Sequence, residues 1–322
     1  MMSFEYVDAF TEASALRNLK GKAKIFAGGT DLLDLMRRKI IRPSTIVNIK
    51  KIGRLHGFRG DSSGKLRLGA LATIEEVEQE PLLRRYCTAV SEAAASIASP
   101  QLRNVATLAG NLCQDYRCWY YRGPFKCLLK SGSRCYAEKG ENQLHAILGG
   151  GPCYAVHPSD LAPALISFDA NIKIVSERGV RTIALEDLFR TPTDEKSTPT
   201  TIHKDEIITH VGLRLDEKAN VKSTYLKSMD RKAWGFALIS VALKFAEVDE
   251  GFAEPRLVLG GVAPKPWRCK KAESLIAEKS ARTINLDEIA EAALEGAVPL
   301  EHNRYKIFLA KGLIKQAFNK LY

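Results

Sequence analysis

Apolar positions in the first fifty residues switch between two periods. Between Thr11 and Lys20, Ala15, Leu16 and Leu19 share one helical face. The short apolar run from Ala23 to Ala27 stops at Gly28-Gly29 and reads as a buried strand. Leu32, Leu33, Leu35 and Met36 then give a helix its apolar face, with Thr30 or Asp31 as the cap. Ser44 to Ile49 is a second strand, so the segment forms a small strand–glycine–helix–strand unit. Residues 54–71 read as a β-hairpin turned at Asp61-Ser62-Ser63-Gly64. Two helices follow, the second an alanine-rich one from Pro81 to about Ala98.

From 114 to 152 neither period holds. Arg, Lys, Gly, Tyr and Cys dominate there, and so long a loop inside a compact domain is uncommon unless it is functional. Periodicity returns with a helix at Asp160 to Phe168 and strands at Asn171 to Val175 and Glu206 to Leu215. The polar stretch 190–204 between them reads as a surface loop. After about 217 the pattern becomes strand-like at Val221 to Met229, Phe236 to Phe245 and Leu257 to Val262. Helices follow over roughly 270–279, 286–297 and 301–320. Strands followed by helices predict a separate unit of the α+β class. The expected division is 1–216, containing the irregular insert 114–153, and 217–322.

Composition narrows the classes. The 322 residues fit about two domains. No apolar stretch approaches the ~20 residues needed to cross a bilayer, so no membrane span is expected. The first residues lack a basic start and an apolar run, so no secretory signal is expected. A cytoplasmic location follows, or a periplasmic one if a partner subunit carries the export signal. The net charge of +11 is scattered along the chain without a basic tail. That pattern favours a solvated surface or an acidic protein partner over nucleic acid.

Candidate chemistry lies in three places. Ala27-Gly28-Gly29-Thr30-Asp31-Leu32 joins strand to helix, where glycines let backbone amides approach a phosphate. Ala106-Thr107-Leu108-Ala109-Gly110-Asn111 repeats that logic with a hydroxyl and an amide added. Either loop alone is ordinary, but two such loops can grip one large anionic ligand from opposite sides. The third place is the cysteine set. Five of the seven cysteines crowd into 113–153, and an odd total argues against a disulfide framework. Cys118, Cys127, Cys135 and Cys153 are spaced C-x8-C-x7-C-x17-C. Spacing alone leaves an iron–sulfur cubane and zinc both open. Cys113 fits packing or a backbone contact to a ligand, and Cys87 and Cys269 fit structural roles. His145, His157 and His210 form no metal spacing. Trp234 and Phe236 could flank a flat aromatic ring, although a core contact explains Phe236 equally well.

These pieces are recognisable together. Phe26 to Asp31, Ser99-Pro100-Gln101-Leu102-Arg103-Asn104 running on to Asn111, Pro158 to Leu165 and Leu259 to Arg268 follow in an order that resembles one family. It is the FAD-binding medium subunit of the xanthine dehydrogenase and carbon monoxide dehydrogenase group of molybdenum hydroxylases. The resemblance spans essentially the whole chain. The insert resembles a subgroup with a [4Fe–4S] cluster: 4-hydroxybenzoyl-CoA reductase and periplasmic-type aldehyde oxidoreductases.

The resemblance implies an α+β fold. A two-lobed FAD-binding domain of the vanillyl-alcohol oxidase (PCMH) type would be followed by a smaller domain of antiparallel sheet plus helices. It implies FAD, with Ile25, Phe26, Ala27, Gly28, Gly29, Thr30, Asp31, Leu32, Ala106, Thr107, Ala109, Gly110 and Asn111 at the pyrophosphate. Cys113 stands beside them, and Asp160 would bind a polar group of the cofactor. Ile207 and Lys227 would lie near adenine or flavin, and the loop from Lys227 to Trp234 by the isoalloxazine. Ala109 departs from the glycine of many relatives, and binding is expected to survive its methyl group. Cys118, Cys127, Cys135 and Cys153 are the implied cluster ligands. The implied partners are a large molybdenum-cofactor subunit and a small [2Fe–2S] subunit, with ferredoxin as a candidate external donor or acceptor. This chain then needs no catalytic residue of its own. The competing readings are an independent flavin oxidoreductase and a zinc-stabilised basic protein for nucleic acid.

Overall fold

The computed structural model describes residues 3–192, 198–215, 220–231, 234–248, 251–280 and 282–322. The expected boundary at 216/217 falls outside them. The first lobe contains β1 (Glu5–Asp8), α1 (Glu12–Asn18), β2 (Lys24–Phe26), α2 (Leu32–Arg37) and β3 (Thr45–Asn48). Its three strands form a parallel sheet in the order β1-β3-β2. Thr11 starts α1 by accepting the Ser14 N–H at 3.0 Å. Ala15 and Leu19 of the helical stripe pack on Val47 and Ile49.

The second lobe opens with β4 (Phe58–Gly60) and β5 (Lys65–Gly69), the expected hairpin. Then come α3 (Ile74–Gln79), α4 (Pro81–Tyr86) and α5 (Thr88–Ala95). The single helix expected from Pro81 to Ala98 is therefore two helices. Cys87, at φ −134° and ψ 51°, breaks the turn between them. The short helices α6 (Pro100–Arg103), α7 (Leu108–Leu112), α8 (Trp119–Arg122) and α9 (Leu161–Ile166) lead to β6 (Asn171–Ser176), β7 (Gly179–Ala184) and β8 (Ile207–Arg214). These strands complete an antiparallel sheet in the order β4-β5-β8-β6-β7. Leu66, Leu68, Ile172, Ile174, Val211 and Leu213 of the sheet join Ala89, Val90 and Ala93 of α5 and Leu161 and Leu165 of α9 in one core.

The last unit has β9 (Val221–Ser228), β10 (Ile239–Val248), β11 (Gly251–Gly260) and β12 (Trp267–Arg268), followed by α10 (Lys270–Ala277), α11 (Leu286–Ala293) and α12 (Tyr305–Leu321). Its antiparallel sheet runs β12-β11-β10-β9. Alternation along β10 sorts the two faces. Val241, Leu243 and Phe245 pack with Ile276, Ile289, Ile314 and Phe318 of the helices. Ala242, with Tyr225 and Val258, joins the core of the second lobe instead. Both faces of this sheet are thus buried, which seats the unit against the lobe that carries the second glycine loop. No helix among the described residues is long and apolar enough to cross a membrane.

Candidate functional site

The two glycine loops meet. A Cβ on Gly28 would lie 2.2 Å from the Val105 carbonyl oxygen and 3.0 Å from Ala106 Cα. Only a residue without a side chain allows that approach. Gly29 adopts φ +71°, which side-chain-bearing residues rarely take. Thr107 starts α7 by accepting the Gly110 N–H at 3.3 Å. Between the loops opens a cavity of about 350 Å³, walled on another side by residues 198–208.

Twelve of the expected cofactor residues line it: Ile25, Ala27, Gly28, Gly29, Thr30, Asp31, Leu32, Thr107, Ala109, Gly110, Cys113 and Ile207. Asp160 and Trp234 line a second cavity of about 250 Å³. Phe26, Ala106, Asn111 and Lys227 line neither. The Phe26 ring packs against Tyr6 at 6.2 Å with the Lys50 ammonium over it. Ala106 is spent on the backbone approach to Gly28, and its carbonyl accepts the Ile74 N–H. Asn111 is buried and accepts from Ser159 Oγ at 2.6 Å. These four support the site from behind rather than facing it.

Sequence reasoning missed part of the wall. Residues 198–204, expected as surface loop, border the first cavity, with His203 and Lys204 among them. The rest of that stretch, 193–197, lies outside the described residues. Lys24 also lines the cavity, and burial pushes its ammonium down while Asp115 opposes the shift. Its signal was a lysine in an otherwise apolar strand. The cavity wall carries both lysines and the carboxylates Asp31, Asp115 and Glu206, and the glycine-loop backbone is the part suited to an anion.

Asp31 stands at the N-cap of α2 but makes no capping hydrogen bond. Its carboxylate faces the insert instead. It accepts the Asp115 N–H at 2.7 Å and Arg122 Nη2 at 2.7 Å, and it pairs with Arg117 at 2.9 Å. Arg122 is almost fully buried. It also donates to Asp34 at 2.7 Å and to the Tyr116 carbonyl at 2.8 Å. One guanidinium thus staples the start of the insert to the helix after the first glycine loop. Arg122→Met should lower stability by about 2–3 kcal/mol, because bonds to a charged donor are lost while Asp31 and Asp34 keep other partners. A urea unfolding curve at unchanged slope checks this.

The second cavity lies between the insert and the C-terminal unit. Arg117, Cys118, Trp119 and His145 face Trp234, Phe236 and Leu238 across it. Residues 236–238, expected to begin a strand, form this wall, and β10 starts at Ile239. The Arg117 guanidinium sits over the Phe236 ring at 5.1 Å while pairing with Asp31, so it connects the walls of both cavities. Asp160 accepts from Tyr225 Oη at 2.6 Å and from Lys227 Nζ at 2.8 Å.

The four insert cysteines form a neighbourhood of interacting thiols. Cys135 and Cys153 interact as a pair, with Cys135 held down and Cys153 pushed up. Burial pushes the Cys118 thiol up to about 11 and raises Cys127 as well, and backbone N–H groups of the following residues oppose the shift at both. Cys118 and Cys127 each stand at the N-cap of a short helical turn, and neither sulfur makes a capping hydrogen bond. Thiolate is the ligand form of cysteine. Among the described residues, no three His, Cys, Asp or Glu side chains close around a single-ion site. The other three cysteines lie outside this group. Cys87 and Cys269 are buried, and Cys113 is exposed in the wall of the first cavity.

Residues 2–213 match the FAD-binding domain in molybdopterin dehydrogenase, and residues 224–321 match the CO dehydrogenase flavoprotein C-terminal domain. The chain belongs to the FAD-binding medium subunits of the xanthine and carbon monoxide dehydrogenase family. This subunit is 34% identical to the aldehyde oxidoreductase FAD-binding subunit PaoB of Escherichia coli, over 96% of this chain and 94% of that one. It is 28% identical to the putative xanthine dehydrogenase FAD-binding subunit XdhB of Escherichia coli, over 91% and 86% of the two chains. Its fold matches carbon monoxide dehydrogenase from Hydrogenophaga pseudoflava with a TM-score of 0.78 at 22% identity, covering 99% of this subunit and 96% of that chain. It is therefore the FAD-binding part of a molybdenum hydroxylase, an oxidoreductase.

Proposed function

We propose that this subunit carries FAD across the two cavities and a [4Fe–4S] cluster on Cys118, Cys127, Cys135 and Cys153. It passes electrons between partner subunits holding molybdenum and [2Fe–2S] centres and an external donor or acceptor. The observation that carries this reading is the insert: four thiols close enough to influence one another, with Cys118 in the wall of the second cavity. Bound FAD supplies the chemistry that exchanges single electrons with iron–sulfur centres and electron pairs with other carriers.

The residues divide the work. The two glycine loops, Lys24 and Lys204 neutralise the pyrophosphate in the first cavity. Ile25 and Ile207 give its apolar wall. Trp234 and Phe236 flank the flat ring system in the second, and Asp160 and Lys227 form the polar support beneath it. The four thiolates hold the cluster. The aldehyde oxidoreductase relative supports a complex of this kind, and the net charge of +11 supports an acidic electron partner such as ferredoxin. The two units would be 1–216, with the insert 114–153, and 217–322.

An anaerobic absorbance spectrum with flavin, iron and sulfide quantified tests the proposal. The expected result is FAD with about four irons per chain, with iron lost and FAD retained in Cys135→Ser. FAD with zinc and no iron removes the cluster and leaves the flavin reading. A folded, colourless protein removes both.

A further inference from the structure

Among the described residues, His145 is the one side chain outside the four cysteines that reaches one of their sulfurs at hydrogen-bond distance. Its Nε2 lies 3.2 Å from Cys118 Sγ, and the ring stands at 5.2 Å, edge-on to Trp119. Residues Arg117, Cys118, Trp119 and His145 all border the second cavity. The imidazole is buried and its Nδ1 has no hydrogen-bond partner, so among the described residues the Cys118 sulfur is its one hydrogen-bonding contact. The C-terminal unit fixes its position. Its carbonyl accepts from Asn303 Nδ2 at 3.1 Å and from the buried Lys306 Nζ at 3.1 Å, while its N–H donates to Asn142 O at 2.9 Å. A sulfur bound as thiolate to a cluster accepts, and the facing Nε2 would then carry the ring proton.

We propose that His145 is a positioning residue that sets the electron affinity of the cluster, by donating its Nε2–H to the Cys118 sulfur on the side facing the flavin cavity. The inference rests on the cluster reading above. Charge added to a cluster spreads onto its sulfur ligands, and a neutral N–H donor stabilises that charge, which raises the reduction potential. His145 reaches its sulfur from 27 residues away and is held by Asn303 and by Lys306 of α12, so the C-terminal unit gains a direct hold on the cluster.

The test is an EPR-monitored redox titration of the iron-loaded protein and of His145→Phe and His145→Gln, with iron counted in each. The expected result is a more negative cluster potential in H145F at unchanged iron content, with H145Q, which keeps an N–H donor, in between. Pulsed EPR of the reduced wild-type protein labelled with 15N-histidine needs no variant. It should show a weak nitrogen coupling that natural-abundance protein lacks. An unmoved potential in iron-loaded H145F overturns the proposal. Should the variants lose iron, an absent 15N coupling in the wild type overturns it. Wild-type protein that binds no iron overturns the cluster reading first and this inference with it.

Discussion

Gly28→Ala is expected to weaken FAD binding by about 2 kcal/mol, roughly thirtyfold in affinity, while the chain stays folded. The methyl group would start 2.2 Å from the Val105 carbonyl oxygen, and that atom belongs to backbone. No rotamer change relieves such a contact, so one loop must move away from the other. The separation of the loops defines the width of the first cavity, and a pyrophosphate held from two sides loses its grip on one. The strain falls first on the loops, whose Ala27, Ala106 and Ala109 sit only at the edges of the buried cores. Gly53→Ala is the matched control, since a Cβ there meets nothing within 4 Å. Flavin fluorescence titration of deflavinated protein reads both variants. Equal affinities in the two would show that the loops do not jointly hold the cofactor.

Asp160→Asn should cost about 3–5 kcal/mol of folding stability. The Lys227 ammonium is only 3% exposed and the Asp160 side chain 6%, and each is the other's charge partner at 2.8 Å. The substitution preserves shape and removes the charge. Lys227 then keeps its bond to the Ser96 carbonyl, at 3.2 Å, but has no counter-ion in a dry site. Combining Asp160→Asn with Lys227→Met should recover a large part of the loss, because the cost comes from the unpaired cation rather than from lost attraction. Urea unfolding of the wild type, both single variants and the double variant completes the cycle. A midpoint for Asp160→Asn equal to that of the wild type would mean the pair does not act as a buried charge pair.

Elements with a buried, periodic face were legible in the sequence. The strands β2, β3, β6 and β8 and the helices α10 to α12 fall where periodicity predicts them. β1 and β7 were not read, for a common reason. Each is the edge strand of its sheet, and mostly exposed residues such as Glu5, Tyr6, Gly179 and Val180 leave no apolar alternation to detect. The break at Cys87 was equally silent, because no glycine or proline marks it. Both glycine loops were visible as motifs, yet the close packing of Gly28 on Val105 is a contact 77 positions apart, which no local pattern encodes. The second cavity was legible only as scattered residues.

The sequence by itself determined the two glycine loops, the cysteine spacing, the change of pattern near residue 217 and, through their order, the family. These are local signals: glycine where two backbones approach closely, clustered thiols in an irregular loop, and periods of 2 and 3.6 where a face is buried. Only the tertiary structure decided that Asp31 answers to Arg122 and Arg117 instead of capping its helix. It also decided that Lys227 is sealed on Asp160 and that His145 meets the Cys118 sulfur. The physical reason is that charged and polar groups taken out of water must find partners, and which partner is within reach depends on how the sheets stack rather than on which residues are adjacent in the chain.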